Sequence, residues 1–491
     1  MTGRDSKKTV VLDTNMFIYA QDYGSDNHDL GQLAAGVLRA LGELGYTAAI
    51  AESTLKDLQR GKERKDSRLR EAQRYPVLRP RPPGDLRQRA GYGESLNAND
   101  ECDLEIMAAL DQEMANWLIT NDDRMINHAN RAGLHHVLKA KTFLEFIELA
   151  RNPQPLPSSV RTVDPSDINI RSEFFKSLKT TYPKFENWWK SKVVGEKRMT
   201  LVVGDVSDPL ALAVLKEDDA DYGLPRDTTK ICTFKVSTDS RGYRYGELLL
   251  TAVLRHIRAV PSSTAFVEVA ANNELSSWLR GFGFEKLADC FAKNGDPVMV
   301  KRLTPGGNRA IVDPWEYHVA YGPGALRCQR AFRVPIRQNW HRRLFPPGGE
   351  TQQMALIETM AEPCGNAITK VYISHTKSRQ PARGDVLLFV ETKTDQRITN
   401  IGIVEDVIVT TDPIEVIQFA GTRTVYSPEE VEQMCRKGMV HVMKFRHDRV
   451  LTKPWNRSLP GYAAWIGGRT PQSIAKVGKE GLKWLQDQLG G

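Results

Sequence analysis

Val10-Val11-Leu12-Asp13-Thr14-Asn15 decides how the first 150 residues are read. A short apolar run ending in a carboxylate, followed at once by small polar residues, predicts a buried strand that presents an acid at the carboxyl edge of an open α/β sheet. The arrangement recurs: Ala48 to Ala51 leads into Glu52, with Ser53 placed to cap the next helix, and Trp117 to Thr120 leads into Asp122. His136 to Leu138 predicts a fourth strand. Amphipathic stretches, one through Leu104, Met107, Ala108 and Leu110 and one through Phe143, Ile147 and Leu149, predict helices that cover a parallel sheet on both faces. Asp103 stands one position before the first of these apolar faces, among Asp100, Glu101 and Glu105. A helix face shared with Met107 favours Asp103 as the third acid, with Asp100 in reserve.

Four carboxylates converging in one cleft raise one another's pKa unless cations neutralise them. Oxygen-only ligands suit Mg²⁺ or Mn²⁺, which activate water and offset charge on a phosphodiester. Taken singly, Asp13, Ser53 and Asp122 read equally well as helix caps. Taken together, Asp-Thr-Asn at 13 to 15, Glu52, Asp103 before Leu104 to Ala109, and Thr-Asn-Asp at 120 to 122 make this region resemble the PIN nuclease family over most of its length. The resemblance implies a ribonuclease in which Asp13, Glu52, Asp103 and Asp122 hold the metal, with Asn15 and Thr120 orienting carboxylates or water. It also implies a homodimer, and leaves open a toxin restrained by a separate protein inhibitor, as in toxin-antitoxin pairs, or a processing enzyme. The connection from Lys56 to Arg89 carries Arg64, Lys65, Arg68 and nine further cations, which read either as a solvated helix face or as a grip on RNA phosphates.

The chain has 491 residues, more than one hydrophobic core accommodates, so several domains are expected. With 41% hydrophobic and 26% charged residues it has a soluble globular composition, and no apolar run approaches the length of a bilayer. A polar amino terminus running straight into a strand predicts a cytoplasmic protein. The six cysteines have no paired short spacing and read as reduced thiols. A formal net charge of +8 favours encounter with polyanions without naming one. Pro153 to Pro157 closes the first unit, at 1–152. A second spans 160–303, a basic linker or adaptor 304–350, and a third 351–491. The fold class is multidomain α/β: a parallel sheet, a mixed α/β unit and a small β-barrel with flanking helices.

Within the second unit, Ile231 to Val236 predicts a strand, Arg241 to Gly246 a turn and Glu247 to Leu254 a helix. Backbone amides at such a helix start can cradle a pyrophosphate. This segment resembles the central motif of the GNAT acetyltransferases. Arg241, Gly242 and Gly246 match the family's glycine-bearing turn, Arg244 stands where a glycine is usual, and Phe266 to Val269, Asn272 and Gly283-Phe284 match the second half. The resemblance covers about 100 residues and implies coenzyme A or acetyl-CoA bound by Arg241, Gly242, Tyr243, Arg244, Tyr245, Gly246 and Asn272. Leu279 occupies the place of the family's acid tyrosine, so the commonest proton donor is missing.

In the third unit, Gly384-Asp385-Val386-Leu387-Leu388-Phe389-Val390 followed by Ile401-Gly402-Ile403-Val404 predicts a strand, a polar hairpin and a second strand. This resembles the PUA-like and ASCH group of small RNA-binding barrels. Lys370, Lys377 and Arg379 supply charge, and Tyr372 and His375 are placed to stack on bases. The leading expectation is a metal-dependent ribonuclease acting on structured RNA, tRNA among the candidates, with the barrel choosing the substrate. The alternatives are an RNA-binding regulatory scaffold with weak or absent nuclease activity, and an acetyltransferase acting on RNA or protein amines.

Overall fold

The computed structural model describes residues 9–21, 28–43, 45–61, 64–93, 95–134, 136–151, 159–217, 221–240, 242–269, 274–305, 311–346, 362–375, 381–392, 397–456, 459 and 473–489. They fall into two compact units. Unit 1 is 1–153 with 410–421 and 426–438; unit 2 is 154–409 with 422–425 and 439–491. Among the described residues no helix is long and apolar enough to cross a membrane.

Unit 1 is built on β1 (Thr9–Leu12), β2 (Thr47–Ala51), β3 (Val77–Leu78), β4 (Trp117–Ile119) and β5 (Val137–Leu138). They form one parallel sheet in the order β3-β2-β1-β4-β5. The helices are α1 (Thr14–Gln21), α2 (His28–Glu43), α3 (Glu52–Arg60), α4 (Lys65–Ala72), α5 (Leu86–Arg89), α6 (Ala98–Asp111), α7 (Asp123–Arg131) and α8 (Ala140–Arg151). Val11 and Ala51 pack with Ile106 and Met107 of α6 and Met125 of α7, whereas Ile50 packs with Phe17 of α1 and Leu58 of α3. The sheet is therefore buried on both faces, which is why its strands read as unbroken apolar runs. The two-residue β3 lies inside the basic connection and is too short to leave a periodic signal.

Unit 2 holds two mixed sheets. The first contains β6 (Arg161–Val163), β7 (Met199–Gly204), β8 (Pro209–Lys216), β9 (Thr229–Val236), β10 (Thr264–Glu268), β11 (Glu285–Phe291) and β12 (Pro297–Arg302), in the order β11-β12-β10-β9-β8-β7-β6. Its helices are α9 (Lys176–Thr181), α10 (Phe185–Trp188), α11 (Tyr245–Ala259) and α12 (Glu274–Arg280). β9 and β10 are the parallel pair in an otherwise antiparallel sheet.

The second sheet contains β13 (Ala331–Arg337), β14 (Thr369–Ser374), β15 (Val386–Thr392), β16 (Ile398–Thr410), β17 (Val440–Trp455) and β18 (Ala475–Lys476), in the order β14-β17-β16-β15-β13-β18. With it go α13 (Pro314–Tyr321), α14 (Gln338–Leu344), α15 (Pro363–Asn366) and, at the carboxyl end, α18 (Lys479–Leu489). Between β16 and β17 the chain makes α16 (Pro413–Ala420) and α17 (Pro428–Arg436), which belong to unit 1.

The stretch 304–350, expected as a linker, instead supplies α13, α14 and β13, a strand paired parallel to β15 over its whole length. Its alternation of buried Phe332, Val334 and Ile336 is masked in the sequence by Pro335 and by the glycines and prolines at either end. All six cysteines are free thiols.

Candidate functional site

Asp13 follows β1 directly, and its backbone N–H donates to Ile119 O, which holds it level with the end of β4. Its side chain is 3% exposed. Thr120 Oγ1 donates to Asp13 Oδ2 at 2.8 Å and accepts from Asp122 N at 2.9 Å, so one hydroxyl ties two acids together. Burial pushes Asp13 up to about 6, against the bonds from Thr120 and from the Asn15 and Thr14 backbone. Asn15 thus contributes its backbone, while its side chain is exposed.

Asp103, on α6, is pushed up to about 7 by burial and by the charges of Asp13 and Asp122. It lies well inside α6 rather than at its start, because the helix begins at Ala98 with Asn97 and Asp100 forming a capping box. Asp122 caps α7, accepting from Arg124 N and Met125 N.

Glu52 departs from the expected four-acid site. It is the first residue of α3, and Arg79 Nε donates to it at 3.0 Å. Asp100 is paired with Arg124. Among the described residues no group of three or more His, Cys, Asp or Glu side chains is disposed to hold a metal ion. Asp122 caps α7 through Oδ1, and Glu52 is paired with Arg79, while the charge of Asp122 raises both Asp13 and Asp103.

Ser53 does not cap α3, whose N-cap position is Ala51. Glu105 does that work from α6, accepting from Ser53 N at 2.7 Å, while Ser53 Oγ donates to Cys102 O. Tyr92 was not anticipated. Its ring stacks on His128 at 3.9 Å, and its hydroxyl is buried with no hydrogen-bond partner among the described residues. Burial and then the charges of Asp103, Asp100 and Asp122 push its pKa up, placing it beside the acids. A tyrosine between two glycines, Gly91 and Gly93, was the only signal for it in the sequence.

The expected RNA contacts divide. Arg64 and Lys65 are exposed and Arg68 half-buried. Lys370 is not a surface cation: it is 2% exposed, and its Nζ donates to Cys364 O and Gly365 O. The Tyr372 hydroxyl donates to Pro335 O at 2.7 Å, so its ring is fixed to the sheet rather than free to stack. His375 is exposed, and Lys377 and Arg379 lie outside the described residues.

In unit 2 the parallel pairing of β9 with β10 covers Thr229, Lys230 and Ile231. A register shift follows at Cys232, and β9 runs on to Val236 beside β8 alone. Among the described residues, 232–236 of β9 therefore have no strand paired with them on the side away from β8. The turn after β9 places Gly242 at φ +88° and Arg244 at φ +61°, and α11 starts at Tyr245. Its carbonyl side is occupied: Thr422 Oγ1 donates to Gly242 O and Asn366 Nδ2 to Tyr243 O, while Arg244 Nε donates to Thr422 Oγ1. Tyr243 and Tyr245 are buried and stacked on each other. Gly246 packs against Val236 and Trp278, whose ring also meets Phe234. Arg241 and Asn272 lie outside the described residues.

Amides at the start of a fifteen-residue helix are groups that can hold an anion. Leu279, 1% exposed, belongs to the core and offers no acid.

No family model matches the chain, and no curated protein matches it. Parts of it are similar to solved structures. The ASCH protein of Zymomonas mobilis is 12% identical, over 32% of this chain and 94% of that one, with a TM-score of 0.23. The PaiA N-acetyltransferase of Thermoplasma acidophilum in complex with coenzyme A is 15% identical, over 29% and 98%, with a TM-score of 0.24. Ard1 of Thermoplasma volcanium is 16% identical, over 29% and 95%, with a TM-score of 0.22.

Proposed function

We propose that the chain is an RNA-binding regulatory protein whose first domain keeps an acid cleft with weak or absent nuclease activity. The observation that carries this reading is that Arg79 pairs with Glu52, one of the four expected acids, and Arg124 with the reserve acid Asp100. Guanidinium groups in those places offset the carboxylate charge that divalent cations would otherwise balance. The same domain exposes Arg64, Lys65, Arg74 and Arg81, suited to phosphate contacts that position an RNA without reading its bases.

A second reading, a PIN-like metal-dependent ribonuclease, draws support from the raised Asp13 and Asp103, both acted on by the charge of Asp122. Mg²⁺ or Mn²⁺ would supply an activated water and charge neutralisation there. Asp13, Asp103 and the free oxygen of Asp122 are the groups that would hold it, and Thr120 would keep Asp13 in place.

Labelled structured RNAs, transfer RNA among them, separate the two. Binding that persists with no new RNA ends in Mg²⁺ or Mn²⁺ supports the regulatory reading. Metal-stimulated cleavage by the wild type that disappears in Asp103→Asn overturns it in favour of the nuclease. In either case the GNAT-like region is proposed as a thioester-ligand module, with the turn from Gly242 to Gly246 holding the anionic end.

A further inference from the structure

Lys235 lies on β9 beyond the register shift, in the stretch with no strand neighbour on the β10 side among the described residues. It pairs with Leu212, whose face of the sheet packs against the aromatic cluster of Phe174, Phe175, Phe185 and Trp189. Its Nζ donates to Ser177 Oγ at 2.6 Å and sits 5.4 Å from the centre of the Phe174 ring. Burial lowers its pKa, and among the described residues no carboxylate is paired with it. The other half-buried lysine of this strand, Lys230, differs in being held by Glu268 at 2.7 Å. A half-buried amine held by a hydroxyl and an aromatic face, with no carboxylate paired to it among the described residues, has the surroundings that turn a lysine into a nucleophile.

The ligand class follows from what lies along the same strand. The backbone of 232–236 on the side away from β8 can pair with an extended arm carrying amide groups, and the turn and start of α11 can take an anionic group at the arm's far end. We propose that Lys235 is an acyl acceptor, taking an acyl group from a thioester whose amide-bearing arm lies along β9. The proposal rests on the thioester-ligand reading of this region. In the step, the neutral Nζ attacks the thioester carbonyl, a C–N bond forms and the C–S bond breaks. The thiolate leaves, and the proton shed by Nζ passes through Ser177 Oγ, which is exposed, to solvent and so to the thiolate. The products are an amide on Lys235 and a free thiol, with no oxidant or further reactant required.

The full-length protein is incubated with acetyl-CoA or with S-acetyl-N-acetylcysteamine, and every lysine is followed by peptide mass spectrometry. Hydroxylamine treatment removes any thioester formed on Cys232. Acetylation of Lys235 is expected to outrun that of exposed Lys176 and Lys190 by about tenfold. Ser177→Ala is expected to slow it, and Lys235→Arg to abolish it in that peptide while circular dichroism stays unchanged. Enrichment at Lys235 with acetyl-CoA well above that with the small thioester supports both the acceptor and the anion cradle. Equal enrichment with the two reagents supports the acceptor and overturns the cradle. Acetylation of Lys235 no faster than of the exposed lysines, with either reagent, overturns the proposal.

Discussion

Thr120 Oγ1 donates to Asp13 Oδ2 at 2.8 Å across 107 positions of sequence. Because the same oxygen accepts from Asp122 N, it orders the carboxyl edge of β1 and β4 at once. Thr120→Val keeps the shape and removes both bonds inside a buried site. Unit 1 is expected to lose about 1–3 kcal/mol, the cost of leaving buried polar groups unpaired. Urea unfolding followed by hydrogen exchange of β1 and β4 peptides measures it, and an unchanged midpoint would show that the bond stabilises nothing.

The two strained acids make unit 1 pH-dependent in a defined direction. Asp13 at about 6 and Asp103 at about 7 both stand above the ordinary value of 3.8, so the folded state holds protons that the unfolded chain has released. Their contribution is fully present below that ordinary value and is lost as pH rises through about 6 and 7. Relative to Asp103→Asn, the wild type is expected to melt progressively lower from pH 5 to pH 8. Millimolar Mg²⁺ or Mn²⁺ should recover the difference at pH 8 and not at pH 5. A wild-type melting temperature that ignores both cation and pH would remove the acids as a cation site.

Glu247 is a buried carboxylate on the first turn of α11. It is held down to about 2 despite burial, chiefly by Arg423 and then Arg244. Arg423 donates to it at 2.9 Å, and Ile368 N and Thr369 N complete its partners. Arg423→Ala leaves that charge buried with its main partner gone and is expected to cost about 3–5 kcal/mol. The double replacement of Glu247 and Arg423 by Gln and Met should cost much less. Calorimetric unfolding of the single and double variants checks this, and simple additivity would contradict the pairing.

The first compact unit does not end with the residues that precede 350, since α16 and α17 are part of it. Gln418 Nε2 donates to Val137 O on the edge strand β5 and Gln418 Oε1 accepts from Thr142 Oγ1. A chain ending at 350 is expected to show faster hydrogen exchange in β5 and α8 than the full-length protein. Replacing 411–438 by a short Gly-Ser linker should do the same. Exchange in β5 and α8 that matches the full chain would show that the helical pair contributes nothing to unit 1.

The sequence alone determined what local pattern can encode. Buried strands of β1, β2 and β4 appear as unbroken apolar runs because both of their faces are covered, and Asp13 and Asp122 are legible because an acid follows each run directly. The turn before α11 is legible because Gly242 and Gly246 mark it. Tertiary structure alone decided which acids meet. Asp103 reaches Asp13 because α6 packs on β1, β2 and β4, and Glu52, equally well placed in the sequence, is taken by Arg79 from a loop whose path no periodicity fixes. Burial likewise reassigned Lys370 from surface cation to a donor for two backbone carbonyls. It also made a sheet strand of β13, whose partner β15 lies more than fifty residues on. A run of residues specifies how it prefers to bend and which side it hides, but the charge or hydrogen-bond partner that fixes a side chain's role comes from distant parts of the chain, and only the packed fold brings them within reach.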